Sequence, residues 1–185
     1  RMPRDTANYC DAPTIHVRSK LPLAMISRNP RELKELLSDG QRWLGIDMGS
    51  KTLGLALSDV TLTIATPMET LRRSKFTKDA ETLRTIIKHK RVGGIILGLP
   101  LNMDGSEGPR CQSARQFAAN LEAKIGAPFA LWDERLSTIA AERTLLAADL
   151  SRKKRSQVVD MVASTIILQG ALDRLGHIRS KPSET

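Results

Sequence analysis

The sequence predicts one α/β domain in which a mixed β-sheet is covered by helices. Three segments of strand character follow one another between residues 42 and 67, and strands then alternate with helices up to residue 175. The chain has 185 residues, of which 41% are hydrophobic, enough for one ordinary core. Neither an internal repeat nor a second-domain boundary is visible. We therefore expect a single folded domain at residues 41–176, followed by a C-terminal tail at residues 177–185.

Residues 1–40 are predicted to be an N-terminal extension with one short helix near residues 30–38. Residues 1–27 show no clear period. Asn29 is a suitable N-cap, Pro30 fits the first helical position, and Gly40 is a natural stop.

The first predicted strands surround a glycine turn. Residues 43–46 form an apolar strand that ends in Asp47, and Gly49 marks the turn into a second strand at residues 53–57. A third strand is predicted at residues 62–65, closed by Pro67.

The rest of the predicted domain alternates strands with helices. The strands are predicted at residues 92–97 and 129–132. The helices are predicted at residues 77–90, 110–125, 137–148 and 156–175.

Charge is unevenly distributed along this basic chain. The net charge is +9, and residues 72–91 alone contribute +6. A second run has no acid inside it and consists of Arg152, Lys153, Lys154 and Arg155. Clustered positive charge attracts a polyphosphate backbone, although an ordinary solvated basic surface has the same composition. Aromatic residues make up only 3%, too few for a binder that stacks bases on rings.

Several other classes of protein are disfavoured. Cys10 and Cys111 lack the spacing of a zinc site or a disulfide framework. No apolar stretch approaches the roughly 18 residues of a membrane span, and residues 21–26 are too short for a signal peptide. We therefore expect a cytoplasmic protein without membrane contact.

Acids stand at three places where a metal site could form. Asp47 and the pair Asp133 and Glu134 each follow a predicted strand, and Asp160 interrupts an apolar helix. Strand ends on the same side of a sheet bring such residues together. Carboxylate oxygens suit Mg²⁺ or Mn²⁺, which serve in phosphodiester cleavage. A turn aspartate, a loop acid and a solvent-facing aspartate are the respective structural alternatives.

Two phosphate-binding alternatives are disfavoured. Residues 49–52 end like a phosphate-binding loop, but Ser50 replaces the glycine needed before the lysine, and a strand follows instead of a helix. The actin and sugar-kinase ATPases also begin with a strand, an aspartate and a glycine, but they need two such halves, which 185 residues without a repeat cannot supply.

Four ordered blocks give the chain a specific resemblance. Residues 45–59 (GIDMGSKTLGLALSD), 97–108 (LGLPLNMDGSEG) and 133–138 (DERLST) are followed by a block that runs from Lys153 through Asp160 to Gln169. Together they resemble the YqgF/RuvX family, over about residues 42–175. Its members are described as Holliday-junction resolvases and as nucleases that mature precursor 16S ribosomal RNA.

The resemblance implies a ribonuclease-H-like fold, with three antiparallel strands followed by strand–helix units. It also implies Asp47, Glu134 and Asp160 as the catalytic acids and the ligands of Mg²⁺ or Mn²⁺. Candidate nucleic-acid contacts are Lys51, Arg135, Arg152, Lys153, Lys154 and Arg155. One departure is Thr52, where many members carry arginine; we expect it to weaken a phosphate contact and to leave the metal site untouched.

The predicted function is metal-dependent hydrolysis of phosphodiester bonds in precursor 16S ribosomal RNA, with ribosomal precursor particles as possible partners. The alternatives are a non-catalytic nucleic-acid-binding or ribosome-assembly factor and a junction resolvase. A resolvase makes paired cuts and needs a stable two-fold dimer. Because the sequence offers no long heptad or spare apolar helix, we expect a monomer or weak dimer that acts on RNA rather than on junction DNA.

Overall fold

The computed structural model of the chain describes residues 26–27, 29–136 and 152–179, with side chains for residues 29–135 and 159–176. The helix predicted at residues 137–148 lies outside these ranges, as do residues 1–25 and 180–185.

Six strands of the described chain form one mixed sheet in the order β1-β6-β5-β2-β3-β4. Strands β2, β3 and β4 are antiparallel neighbours, whereas β5 and β6 run parallel to β2. The strands are β1 (Ile26–Ser27), β2 (Arg42–Met48), β3 (Thr52–Ser58), β4 (Ala65–Arg72), β5 (Val92–Leu99) and β6 (Phe129–Asp133). This arrangement confirms the predicted fold class.

Helices cover both faces of the sheet. The described α-helices are α1 (Pro30–Glu35), α2 (Phe76–His89), α3 (Pro109–Ile125) and α4 (Arg152–Arg179). Alternate residues of each strand point to opposite faces, so two apolar layers result. Leu44 and Ile46 pack in the layer with α2 and α3, whereas Trp43 and Ile96 pack in the layer with α4.

The predicted third strand is wrong in its position. Residues 62–64 belong to the turn before β4, and the strand then continues through Pro67 to Arg72. Proline lacks an N–H group, but β4 is the outermost strand, and a register shift between Leu55 and Ala56 accompanies the pairing of Pro67. Because β4 has no further strand on its outer side in the described sheet, the missing N–H group of the proline leaves no carbonyl there unpaired.

Part of the segment predicted as an extension packs on the sheet. Ile26 and Ser27 pair with β6 in parallel, and Leu33 of α1 is fully buried against Gly94. The Asn29 side chain accepts a hydrogen bond from the Arg31 N–H at 3.1 Å, which confirms the predicted helix start.

No helix within the described ranges is both long enough and apolar enough to cross a membrane.

Candidate active site

Asp47 is a buried carboxylate inside β2, with only 4% of its surface exposed. It pairs with Gly54 of β3, and Gly45, two residues earlier on the same face, lies against Ser164 and Leu168 of α4. Because side chains of paired residues share a face, the Asp47 side chain points to the α4 side of the sheet. A buried acid needs polar partners or a cation, which makes Asp47 a candidate for the site.

Asp160 of α4 meets β3 beside Asp47. Its Oδ2 accepts a hydrogen bond from Thr52 Oγ1 at 2.6 Å. A Cβ added at Gly54 would lie 2.0 Å from the Asp160 carbonyl oxygen, so only glycine permits this approach. The pairing of Gly54 with Asp47 therefore places the two acids against the same short stretch of β3.

Glu134 reaches the same face from the end of β6. Ile46 of β2 pairs with Leu97 of β5 in parallel, so the next residues along the two strands, Asp47 and Gly98, are also neighbours. A Cβ added at Gly98 would lie 2.6 Å from Glu134 Oε1. Thus Gly54 and Gly98 flank Asp47. The space beside Gly54 is occupied by the backbone of Asp160, and the space beside Gly98 is occupied by the carboxylate of Glu134.

Asp133 has a different role from its neighbour. Its Oδ2 accepts a hydrogen bond from Arg135 Nη2 at 2.7 Å, and its Oδ1 accepts one from the Arg135 backbone N–H at 3.0 Å. Asp133 also pairs with Leu99, whose side chain packs in the opposite layer. These contacts favour Glu134 over Asp133 as the acid of the site.

The donor set fits a hard divalent cation in chemistry, although the side chains do not converge as they stand. Asp47, Glu134 and Asp160 offer only carboxylate oxygens, which Mg²⁺ and Mn²⁺ prefer. In the part of the chain that the structure describes, no three acidic, histidine or cysteine side chains are grouped closely enough to hold a metal ion. Ligation would need side-chain rotation that brings the three carboxylates to a common point.

The predicted nucleic-acid contacts occupy different surroundings. Lys51 is exposed in the β2–β3 turn, at the same end of the sheet as Asp47. The Arg135 guanidinium instead binds Asp133 and lies 3.5 Å from the carbonyl oxygens of Asn102 and Met103. Arg152, Lys153, Lys154 and Arg155 form the first residues of α4, and their side chains lie outside the described set.

The glycine-rich loop after β5 is ordered by its own polar groups. Asp104 Oδ1 accepts hydrogen bonds from the Ser106 N–H at 2.9 Å and from Ser106 Oγ at 2.6 Å. These two bonds lower the pKa of Asp104. Both contacts support the prediction that Asp104 is a turn residue.

Sequence reasoning missed Thr52 as part of the site. We expected the residue to leave the acids untouched, and this is wrong, because its hydroxyl binds Asp160 directly. The two residues are 108 positions apart, so no local pattern could reveal the contact. The glycines at positions 54 and 98 were visible in the sequence, but their role depends on where α4 and Glu134 lie.

Comparisons with known sequences agree on one family. A sequence profile of the RuvX family, described as "Holliday junction resolvase", matches residues 41–174. A protein of Paramagnetospirillum magneticum named as a candidate pre-16S rRNA nuclease is 62% identical over 144 residues, covering 78% of this chain and 93% of the relative. A protein of Roseobacter denitrificans with the same name is 52% identical over 162 residues, covering 86% and 99%.

Among solved structures, Thermus thermophilus RuvC in complex with a Holliday junction substrate aligns with a TM-score of 0.48 and 15% identity. The alignment covers 74% of this chain and 96% of that chain.

Proposed function

Because the chain belongs to the RuvX family, we propose that it is a metal-dependent nuclease that hydrolyses phosphodiester bonds in precursor 16S ribosomal RNA. The names of its relatives support this substrate. Such an enzyme would act in the cytoplasm, on free precursor RNA or on ribosomal precursor particles. We assign Asp47, Glu134 and Asp160 as its catalytic acids.

The observation that carries the proposal is the placement of these three acids on the same face of the sheet, around neighbouring positions of β2, β3 and β5. Asp47 is fixed by its strand, and Asp160 is fixed by the Thr52 hydroxyl. Glu134 begins the 3-10 turn Glu134–Leu136, and its carboxylate lies over Gly98. Acids from a strand, a helix and a turn thus border the same part of the sheet, which suits a cation held from several sides.

Hydrolysis requires a water molecule to lose a proton and form an O–P bond, while the bond between phosphorus and the leaving oxygen breaks and the leaving oxygen gains a proton. A divalent ion held by the three acids would supply an activated water and neutralise charge on the phosphate. The chain's own contribution is to orient the carboxylates and to limit water around Asp47, whose burial strengthens its electrostatic interactions.

The test is cleavage of a precursor 16S ribosomal RNA fragment by the purified chain with Mg²⁺ or Mn²⁺, compared with chelator. Asp47→Asn, Glu134→Gln and Asp160→Asn should each lower cleavage at least about 100-fold while the circular dichroism spectrum stays unchanged. Mn²⁺ affinity, measured by calorimetry, should fall in the same variants.

Glu69→Gln is the matched control. Glu69 is exposed on the same sheet and pairs with Leu55, whose side chain belongs to the layer opposite α4. Its activity should equal that of the wild type. Full cleavage by Asp47→Asn would disprove the assignment of the site, and an absence of cleavage in the wild type would favour a binding or assembly factor.

The description of the family profile favours a second candidate, cleavage of Holliday junctions. A four-way DNA junction therefore belongs in the same assay. Paired, symmetric nicks in the junction, without cleavage of RNA, would replace RNA by DNA as the substrate.

A further inference from the structure

A group of basic residues lies at the end of the sheet that carries the acids. It consists of Lys51 in the β2–β3 turn, Arg72 and Arg73 at the end of β4, Lys75 before α2, and Lys78 in the first turn of α2. We call these five residues the basic corner.

Strand directions place the basic corner beside Asp47. Strand β4 ends at Arg72, which pairs with Thr52, the first residue of β3. The hydroxyl of Thr52 binds Asp160. Only Thr52 of β3 therefore separates Arg72 from an acid of the site. In contrast, α2 ends at His89, and the Arg91 carbonyl accepts from the Arg42 N–H at the opposite end of β2.

Hydrogen bonds hold the backbone of the basic corner in one shape. The Arg73 N–H donates to the Lys51 carbonyl at 2.9 Å, and Arg73 Nη1 donates to the Gly49 carbonyl at 2.8 Å. The buried Asp79 carboxylate accepts from Ser74 Oγ at 2.8 Å and from the Ser74 N–H at 3.1 Å. Arg73 therefore joins the β2–β3 turn to the end of β4. The carboxylate of Asp79 binds Ser74 and does not neutralise the exposed basic side chains.

The other four basic side chains are exposed and available. Within the described part of the chain, none of Lys51, Arg72, Lys75 and Lys78 forms an ion pair. Arg72 pairs with Thr52, next to the acids, and attraction between exposed charges is largely screened only beyond about 8–10 Å in physiological salt.

Two of these lysines are unfavourable for the helix that carries them. Lys75 occupies the N-cap of α2 without a side-chain cap hydrogen bond, at a position where serine, threonine, aspartate or asparagine is preferred. Lys75 and Lys78 also add positive charge to the helix end that already carries a partial positive charge. Stability alone would select other residues at Lys75, so the lysine points to a ligand of negative charge.

We propose that the basic corner binds the phosphodiester backbone of the substrate RNA strand and leads it across Thr52 to Asp47 and Asp160. The proposal rests on the proposed function, because it names the path by which the substrate reaches that same site. Lys51, Arg72, Lys75 and Lys78 contact phosphates, whereas Arg73 keeps the turn and the β4–α2 link together.

The test measures binding of a labelled single-stranded RNA by fluorescence anisotropy, in chelator so that no cleavage occurs, over a range of salt concentrations. Replacing Arg72 and Lys75 together by glutamine should weaken binding. The slope of log affinity against log salt should fall by about 1.4, since each phosphate contact to a single strand contributes about 0.7.

The matched control uses the opposite end of the same helix. Lys88 and Lys90 are also exposed and basic, but they lie about 20 Å away along α2. Replacing both by glutamine should leave affinity and salt slope unchanged.

A single variant separates damage to the fold from loss of binding. Lys75→Ser supplies the missing N-cap, so it should raise the thermal midpoint by about 2 to 4 °C while weakening RNA binding. A variant that is more stable yet binds RNA less well cannot be explained by unfolding.

The outcomes distinguish the two proposals. If the wild type binds and cleaves RNA but both double variants lose affinity equally, the proposed function stands and the basic corner is overturned as the substrate path. If the wild type binds no RNA at any salt concentration, both proposals fail.

Discussion

A single hydroxyl connects the edge of the sheet to the acid on α4. Thr52 Oγ1 donates a hydrogen bond to Asp160 Oδ2 at 2.6 Å. Of the other two assigned acids, Asp160 is farther from Asp47 in sequence than Glu134 is. A hydrogen bond to a charged group contributes about 1.5–3 kcal/mol. Thr52 therefore acts as a positioning residue, because its hydroxyl fixes one oxygen of Asp160.

Replacing Thr52 by valine should lower activity while preserving the fold. Valine has the shape of threonine but no hydroxyl, so Asp160 would lose its donor. We expect kcat to fall about tenfold, equivalent to about 1.4 kcal/mol, and Mn²⁺ affinity to change with it. Steady-state kinetics and metal titration would measure both quantities.

Serine provides the control for this change. Thr52→Ser keeps the hydroxyl and should restore most of the activity and the metal affinity. If Thr52→Val retained full kcat and metal affinity, the hydrogen bond to Asp160 would be incidental.

Asp59 makes a separate, structural contribution in the β3–β4 turn. Burial alone would raise the pKa of its carboxyl group, but hydrogen bonds from the Ile64, Thr63 and Thr61 N–H groups and from the Thr61 hydroxyl together lower it to about 2. The folded pKa lies below the unfolded value of about 3.9, so the charged carboxylate stabilises the folded state above pH 4. That stabilisation is lost as the pH falls through about 2.

Asp59→Asn should therefore destabilise the protein in a pH-dependent manner. We expect a loss of about 1 kcal/mol at pH 5–7, after allowing for solvent screening, and a vanishing difference from the wild type between pH 4 and pH 2. Urea unfolding at several pH values would measure this. Thr61→Val removes fewer donors and should show a smaller effect, and a difference that is constant down to pH 2 would contradict the role of the charge.

At the scale of elements, glycines let α4 approach the sheet. A Cβ at Gly45 would lie 2.7 Å from the Leu168 Cβ, and one at Gly54 would lie 2.0 Å from the Asp160 carbonyl oxygen. The obstruction at Gly54 is backbone, which a rotamer change cannot relieve. The helix that carries Asp160 is therefore held at the depth at which its carboxylate meets Thr52.

Gly54→Ala should displace α4 and lower both stability and activity. Forcing the helix away from the sheet should cost at least about 2 kcal/mol of unfolding free energy. Gly176→Ala is the matched control, because it lies in α4 with no atom within 4 Å of an added Cβ. It should instead stabilise the protein by up to about 1 kcal/mol. Differential scanning calorimetry would detect these opposite changes in stability. Equal effects of the two substitutions would contradict the proposal that Gly54 allows the close approach of α4.

These elements also show how far the sequence predicts the structure. The strand periodicity correctly located β2, β3, β5 and β6, since buried strands leave a strong local pattern. Strand β4 was misplaced, because Pro67 signals an end locally and only its edge position explains its tolerance. Asp47, Glu134 and Asp160 were predicted as one site, but the Thr52 contact depends on α4 lying across β3, which no periodicity encodes.

On the scale of the whole molecule, the described surface offers little for tight self-association. The exposed large hydrophobic residues in this part of the chain are Val60, Ile64 and Met103, which stand in two separate loops. Scattered residues of this kind do not form an interface patch. The β4 edge of the described sheet carries Pro67, which hinders edge-to-edge pairing with a second copy.

We therefore predict a monomer or weak dimer that cuts RNA at a single site. A resolvase must cut two strands symmetrically, and this requires two sites held by a stable dimer. Light scattering at micromolar concentration should give a mass near the 20.4 kDa of one chain. Cleavage of precursor RNA should then be first order in protein concentration, because no second copy is needed, whereas a four-way DNA junction should be nicked rarely and without pairing of the cuts. A tight dimer that nicks the junction symmetrically and leaves RNA intact would contradict this prediction, and it would also require an interface that the described surface does not supply.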